Sequence, residues 1–298
     1  MNLDLTGNLI HGELPTNSFA NLSKLVYLDL SQNDFSGSIP SQLFHLRFLQ
    51  YLGMSLNSFH ENIPKEIGNM TKLQQLSLHV NNFFGKIPSS IMNLKELETL
   101  DLSFNSLAME IPIDIGNLSK IIKLGLSYNN FNGTIPSSIQ NLMKLEALSL
   151  ENNLFIGEIP SRLFHIKGLK SLLLGGNHLT WNNNAKIMPK FMLSELSLNS
   201  CGLVRKIPYW ISKQKTLQTL DLSKNQLEGM FPQWLVEMEV EHVILSDNRL
   251  IGSLPPRLFD SQNLIVLSLS QNNFHGELPS NIGNATTIGI LMLDANNL

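Results

Sequence analysis

The chain is nearly devoid of cysteine: among its 298 residues only Cys201 carries a thiol. One thiol excludes an intrachain disulfide and any cysteine-based zinc site. Charge is scarce as well. Only 15% of residues are charged, with a formal net charge of -3, against roughly 25% charged residues in an average soluble domain. That balance supplies no cationic field for a phosphate backbone, so no nucleic-acid partner is expected. Nowhere do 18 apolar residues run together, and residues 1–25 lack the continuous apolar core of a signal peptide. Neither a membrane helix nor a secretory leader is therefore expected within these residues. Gly-x-Ser-x-Gly, His-Glu-x-x-His and phosphate-cradling glycine patterns are also missing, which argues against an enzyme and against a bound cofactor.

What the chain has instead is repetition. An asparagine follows each Leu-x-Leu, with Met54 and Val243 each replacing a leucine once: Asn8, Asn33, Asn57, Asn81, Asn105, Asn129, Asn153, Asn177, Asn225, Asn248, Asn272 and Asn296. The steps are 24 residues apart from one of 25, one of 23 and a double step of 48. Cys201 stands in the middle of the double step and occupies the asparagine slot. Two residues after each mark the side chain is apolar, as at Phe35, Phe59, Phe83, Leu107 and Phe131. Four after it glycine recurs, and seven after it proline, from Pro15 and Pro40 to Pro279. Only the repeat marked by Asn177 breaks the proline column, with Asn184 there and Trp181 in the glycine slot.

Each unit can be read physically. In Leu25–Leu30 the alternation of Leu28 and Leu30 with Asp29 is the period-2 pattern of a short strand. Copies stacked about 4.8 Å apart would make a parallel sheet. The asparagine amide carries two donors and an acceptor, enough to serve backbone groups left unpaired where the chain bends. The apolar column then forms an inner spine, and stretches such as 137–145 read as short helical turns on the convex side.

The unit Leu-x-x-Leu-x-Leu-Ser-x-Asn-x-Phe-x-Gly-x-Ile-Pro occurs, with single departures, as 97–112, 121–136 and 145–160. It resembles the plant extracellular subtype of the leucine-rich repeat, and that resemblance covers the whole chain. Runs such as Gly175–Trp181, Ser200–Leu203 and Phe231–Leu235 further resemble disease-resistance-type receptor-like proteins. The fold implied is α/β: a single right-handed solenoid over residues 1–298, horseshoe-shaped, with about twelve to thirteen repeats. Its parallel sheet would line the concave face and its short helical turns the convex face.

The resemblance implies a ligand-recognition ectodomain at the outer face of the plasma membrane, acting in defence or development. Its partners would be an extracellular peptide or protein and a membrane receptor kinase that serves as co-receptor or adaptor. A secreted inhibitor of microbial wall-degrading enzymes, or the ectodomain of a receptor kinase, is the alternative. Such proteins carry a leader, paired-cysteine caps and a membrane helix, none of which is expected here, so the chain reads as an ectodomain fragment.

Strand positions not filled by leucine face the concave side, and most are small and polar. Against that background Leu56, Val80, Phe104 and Tyr128 occupy the slot just before the mark in four successive repeats. Aromatic side chains inside a polar rim are what interfaces favour, so these four are expected to form a ligand-contact strip, with His79, Lys123 and Glu151 as polar contacts. Asp4, Asp29, Asp101 and Asp221 share the central strand column and read as part of a solvated face. Histidines His11 and His60 share a slot two turns apart, about 10 Å by strand spacing, too far to hold a metal together. Glycosylation is expected at Asn21, Asn69, Asn117, Asn132 and Asn284, four of which lie twelve residues before a mark. Trp210 and Trp234 are expected to pack on the convex side, and 181–192 to form an irregular lateral bulge.

Solenoid ends without caps expose apolar core. The isolated chain 1–298 is therefore expected to be poorly soluble, and a monodisperse, cooperatively melting preparation would contradict that reading.

Overall fold

The computed structural model describes residues 1–15, 22–184 and 187–298. Their contacts fall into two compact units, Met1–Ile156 and Gly157–Leu298.

In the first unit seven three-residue strands pair in parallel and in chain order: Asn2–Asp4, Tyr27–Asp29, Tyr51–Gly53, Gln75–Ser77, Thr99–Asp101, Lys123–Gly125 and Ala147–Ser149. The register places Leu28, Leu52, Leu76, Leu100, Leu124 and Leu148 opposite one another, all fully buried. A three-residue strand has one inward side chain, so a single leucine per repeat anchors the sheet while both neighbours face outward. The second unit repeats the arrangement with six strands, from Ser171–Leu173 to Ile290–Met292. There Leu172, Leu196, Leu220, Val243 and Leu267 hold the register.

The expected asparagine ladder is present. Nδ2 of Asn129 donates to the carbonyls of Leu126 and Ser127 in its own turn, both at 3.2 Å. It also donates to Leu102 of the preceding repeat at 2.9 Å, and Oδ1 accepts the Leu107 amide at 2.9 Å. One side chain thus closes a bend and bolts two repeats together. At Cys201 the sulfur lies 3.4 Å from the Asn199 carbonyl and 4.0 Å from that of Leu174, so the thiol keeps weak versions of two donations. The next rung helps it, since Asn225 Oδ1 accepts amides from both Cys201 and Leu203, at 3.1 and 3.0 Å. Beneath the rungs the phenylalanine column is buried, with centroid spacings of 6.0 Å for Phe35–Phe59 and 6.2 Å for Phe59–Phe83.

Proline opens the helical turns, which are 3-10 rather than α in all but Gln233–Val236 among the described residues. Pro64 and Pro88, at φ -63° and -66°, accept the amides of Ile67 and Ile91, so the ring fixes the entry angle where no donor is needed. In Lys65–Asn69 and Ile113–Asn117, Gly68 and Gly116 lie against the next turn. A Cβ at Gly68 would come within 2.6 Å of the Ser90 carbonyl.

A second set of strands runs through the glycine column, where the sequence suggests only a bend. In the first unit these are His11–Glu13, Asp34–Gly37, Ser58–Asn62, Asn82–Gly85, Ser106–Glu110 and Asn130–Asn132, paired in parallel. In the first unit the glycine slot takes positive φ, 77° at Gly37 and Gly85 and 71° at Gly133, a conformation that Trp181 in the same slot of the second unit does not share. Glu61 and Met109 adopt 76° and 70° there without being glycine. The backbone requirement belongs to the slot, and these two residues meet it under strain.

Replacing Asn129 by alanine should cost on the order of 3 kcal/mol in chemical unfolding, because buried carbonyls lose their donor. Cys201→Asn should stabilise by about 1 kcal/mol by restoring full-strength donors. An Asn129→Ala variant within about 0.5 kcal/mol of the parent would mean that the rung is ornamental.

Candidate ligand-recognition surface

The slot before each asparagine is left-handed. Gln32, Leu56, Val80, Phe104, Tyr128 and Asn152 have φ between 52° and 56°. Both backbone groups there are committed to neighbouring repeats: the Phe104 amide donates to Ser127 of the next at 2.9 Å and its carbonyl accepts from Asn81 of the preceding one at 3.2 Å. With the main chain fixed and the core sealed by the neighbouring leucine, the side chain can only point away. Leu56, Val80, Phe104 and Tyr128 are 40%, 37%, 50% and 45% exposed. Asparagine or glycine would sit in this conformation at least cost, and a β-branched valine is an outlier there. Strain held in an exposed slot motivates a functional reading.

The polar members of the expected strip fall nearby in the same unit. His79 and Glu151 share the slot two before the mark with Ser31, Ser55, Ser103 and Ser127. His79 Nδ1 lies 3.0 Å from Ser77 Oγ, which in turn lies 2.8 Å from Ser55 Oγ. Lys123 opens its strand and pairs with Asp101 at 3.3 Å. The Glu151 amide donates to Ser127 Oγ at 3.0 Å, and its carbonyl accepts from Tyr128 at 2.8 Å. Phe104 and Tyr128 stack at 4.2 Å with their planes 10° apart. The pair is one preformed aromatic plate rather than two independent side chains.

The structure adds a cluster absent from the expected set. Tyr27 and Tyr51, one repeat apart in the first strand position, stack at 4.4 Å. Both hydroxyls donate to Asp29 Oδ2, at 3.2 and 3.1 Å. Asp29 is only 7% exposed, so the reading of its column as solvated fails here, because two tyrosine rings roof it over. Gly53 makes room: a Cβ there would meet Asp29 Oδ1 at 2.5 Å. Burial pushes the Asp29 carboxyl up, but hydrogen bonds from the Ser31 side chain and backbone and from both tyrosines outweigh it, leaving it below the ordinary 3.8. Burial beside this carboxylate raises both tyrosines in turn. The signal was in the sequence as two tyrosines 24 residues apart with an aspartate between them in register.

Asn69, Asn117, Asn132 and Asn284 are all exposed. Asn69 and Asn117 end their helical turns, and the Asn284 amide donates to Asp260 at 3.1 Å. Asn21 lies outside the described residues. Among the described residues no three His, Cys, Asp or Glu side chains come together as a metal site, and no helix is long and apolar enough to cross a membrane.

Comparison with known proteins agrees with this architecture. Leucine-rich-repeat family models match residues 1–59, 72–94, 96–118, 120–142, 216–238 and 263–285. The chain belongs to the leucine-rich-repeat family. Over 69 residues, 22% of the chain, it is 39% identical to receptor like protein 24 of Arabidopsis thaliana, of which they span 8%. Among solved structures, the Arabidopsis receptor kinase HAESA, in complex with the peptide hormone IDA and the co-receptor SERK1, is 32% identical with a TM-score of 0.85. That likeness covers 99% of this chain and 50% of the HAESA chain in that structure. A TDR receptor is 28% identical with a TM-score of 0.80 over 99% of this chain and 56% of its own. The chain spans about half the length of these receptor ectodomains.

The Asp29 cluster makes an acid-range prediction. A carboxyl held below its ordinary value contributes stability that is present above that value and lost as pH falls through the lowered one. Asp29→Asn should therefore lower the melting temperature at pH 7, and the gap to the parent should close as pH drops below about 4. A gap that stays constant into strong acid would show that the loss comes from packing alone.

Proposed function

We propose that the first unit carries part of the ligand-contact surface of a plant cell-surface receptor-like protein that recognises an extracellular peptide or protein. Leu56, Val80, Phe104 and Tyr128 form the apolar strip, and His79, Lys123 and Glu151 supply polar contacts at its edge. The observation that carries this reading is the stacked Phe104–Tyr128 pair, half-exposed and held in left-handed slots whose backbone is fully engaged. Such a surface is rigid before binding, so a ligand loses little free energy ordering it, and aromatic anchors dominate interfaces of this kind. Similar ectodomains bind peptides: HAESA is seen with IDA, and RGFR1 with RGF2. Recognition here would be surface complementarity without bond-making, with the signal carried by a partner receptor kinase at the plasma membrane. Glycans at Asn69 and Asn117, which end helical turns, would stand away from the strip.

The likeness to HAESA also favours a second reading, the ectodomain of a receptor that has its own kinase. A longer reading frame containing a cytosolic kinase would decide for it.

Phe104→Asp and Tyr128→Asp, made in the full-length receptor, should each weaken ligand response by at least about 30-fold, the loss of roughly 2 kcal/mol at an aromatic anchor. Surface expression should be preserved, since both side chains are outside the core. An unchanged dose–response curve would remove the strip from the binding surface.

A further inference from the structure

The second unit contains a cavity that the regular repeat would not leave. Trp181 and Asn184 replace glycine and proline in the repeat marked by Asn177. Beside them opens a space of about 760 Å³, a volume within the range of small-molecule sites. Its apolar wall is made by Trp181, Trp210, Tyr209, Val204, Ile187 and Met188. The indoles are held firmly: Trp181 and Trp210 lie 6.3 Å apart at 25°, and both meet the buried Phe164 ring edge-on, at 5.7 and 5.4 Å.

The polar side of the cavity has one sign. Arg205, Lys206 and Lys213 line it, and no carboxylate does among the described residues. Lys213 stands 4.7 Å over the Tyr209 ring, an arrangement that keeps its ammonium at the aromatic wall. Arg205 occupies the glycine slot of its repeat at φ 64°, so this cation is carried at a cost in backbone strain. Trp210 is 8% exposed, and its Nε1 is buried with no acceptor among the described residues, although a buried indole N–H ordinarily has one. Gln214 Oε1, which accepts the Leu193 amide at 2.8 Å, is not its partner either.

We propose that this cavity binds an amphiphilic anion: an aromatic or branched apolar body carrying a carboxylate. The body would stack on the Trp181–Trp210 wall, and the carboxylate would face the lysines. A neutral apolar ligand would leave the three cations without a counter-charge, and a carbohydrate would leave them unused. The site is independent of the strip in the first unit and does not rest on it.

The test is calorimetric titration of the full chain with N-acetyl-tryptophan and with its uncharged amide, and with a pentapeptide ending in tryptophan as free acid and as amide. Each acid should bind at least about ten-fold tighter than its amide, the worth of one charge-assisted contact. The double variant Lys206→Gln/Lys213→Gln should bring the acid down to the amide, while Lys123→Gln in the other unit should change nothing. Both lysines are exposed, so the double variant should fold, which its melting curve would verify. Equal binding by the two free acids points to a small molecule as source, and binding by the peptide acid alone to a chain terminus; either supports the site. Equal affinity of acid and amide, insensitivity to the double variant, or no binding by any probe at millimolar concentration would overturn it.

Discussion

An asparagine amide that binds its own turn and the neighbouring repeat at once is the interaction from which the rest of the molecule follows. A three-residue strand ending in a sharp bend leaves carbonyls pointing inward, where an unpaired polar group costs on the order of 1–3 kcal/mol. Asn81 answers this with donations to Leu78, His79 and Met54 and by accepting the Phe59 amide. The bend and the joint between repeats are therefore one interaction. Stability of such a stack is approximately a sum of repeat and nearest-neighbour terms, and here the neighbour term has an identifiable side chain, the asparagine rung.

The same rung produces the recognition surface. To bring the asparagine inward, the preceding residue must turn left-handed, which throws its side chain out with its amide and carbonyl already bonded. Nothing in the core depends on what that side chain is. Leucine, valine, phenylalanine and tyrosine can stand at 56, 80, 104 and 128 while Gln32 and Asn152 fill the same slot on either side. The fold thus separates residues that hold it together from residues free to specify a ligand, at a conformational cost lowest for residues such as Asn152 and highest for the β-branched Val80.

How far this is legible in the sequence depends on whether an interaction stays within a column. The asparagine ladder, phenylalanine spine and proline-capped turns are same-column effects that recur every 24 residues, and each appears where the spacing puts it. The second set of strands was not legible, because its pairing is main chain to main chain and its side chains, such as Asn62 and Glu110, carry no period-2 pattern. The Tyr27–Asp29–Tyr51 cluster crosses columns: aspartate in one meets tyrosine from another, and reading each column alone made Asp29 look solvated. The αL glycine slot was legible as glycine yet not as strained at Glu61 and Met109, since a missing glycine says nothing about whether the backbone relaxes.

The irregular repeat shows what happens when column chemistry is given up. With glycine and proline gone at 181 and 184, neither a free φ nor a fixed ring shapes that turn. Side-chain packing takes over: Phe164 is the hub, with Phe191 at 6.3 Å and both indoles edge-on. Aromatic rings are large and rigid, and they cannot fill space as evenly as a backbone turn repeated at constant pitch. A void beside them is a consequence of that exchange. The three cations that line it are a different matter, because packing gives no reason to gather one sign of charge there. Regular repeats therefore explain the scaffold of this protein, and the repeat that gives up its glycine and proline explains why a charged cavity exists beside it.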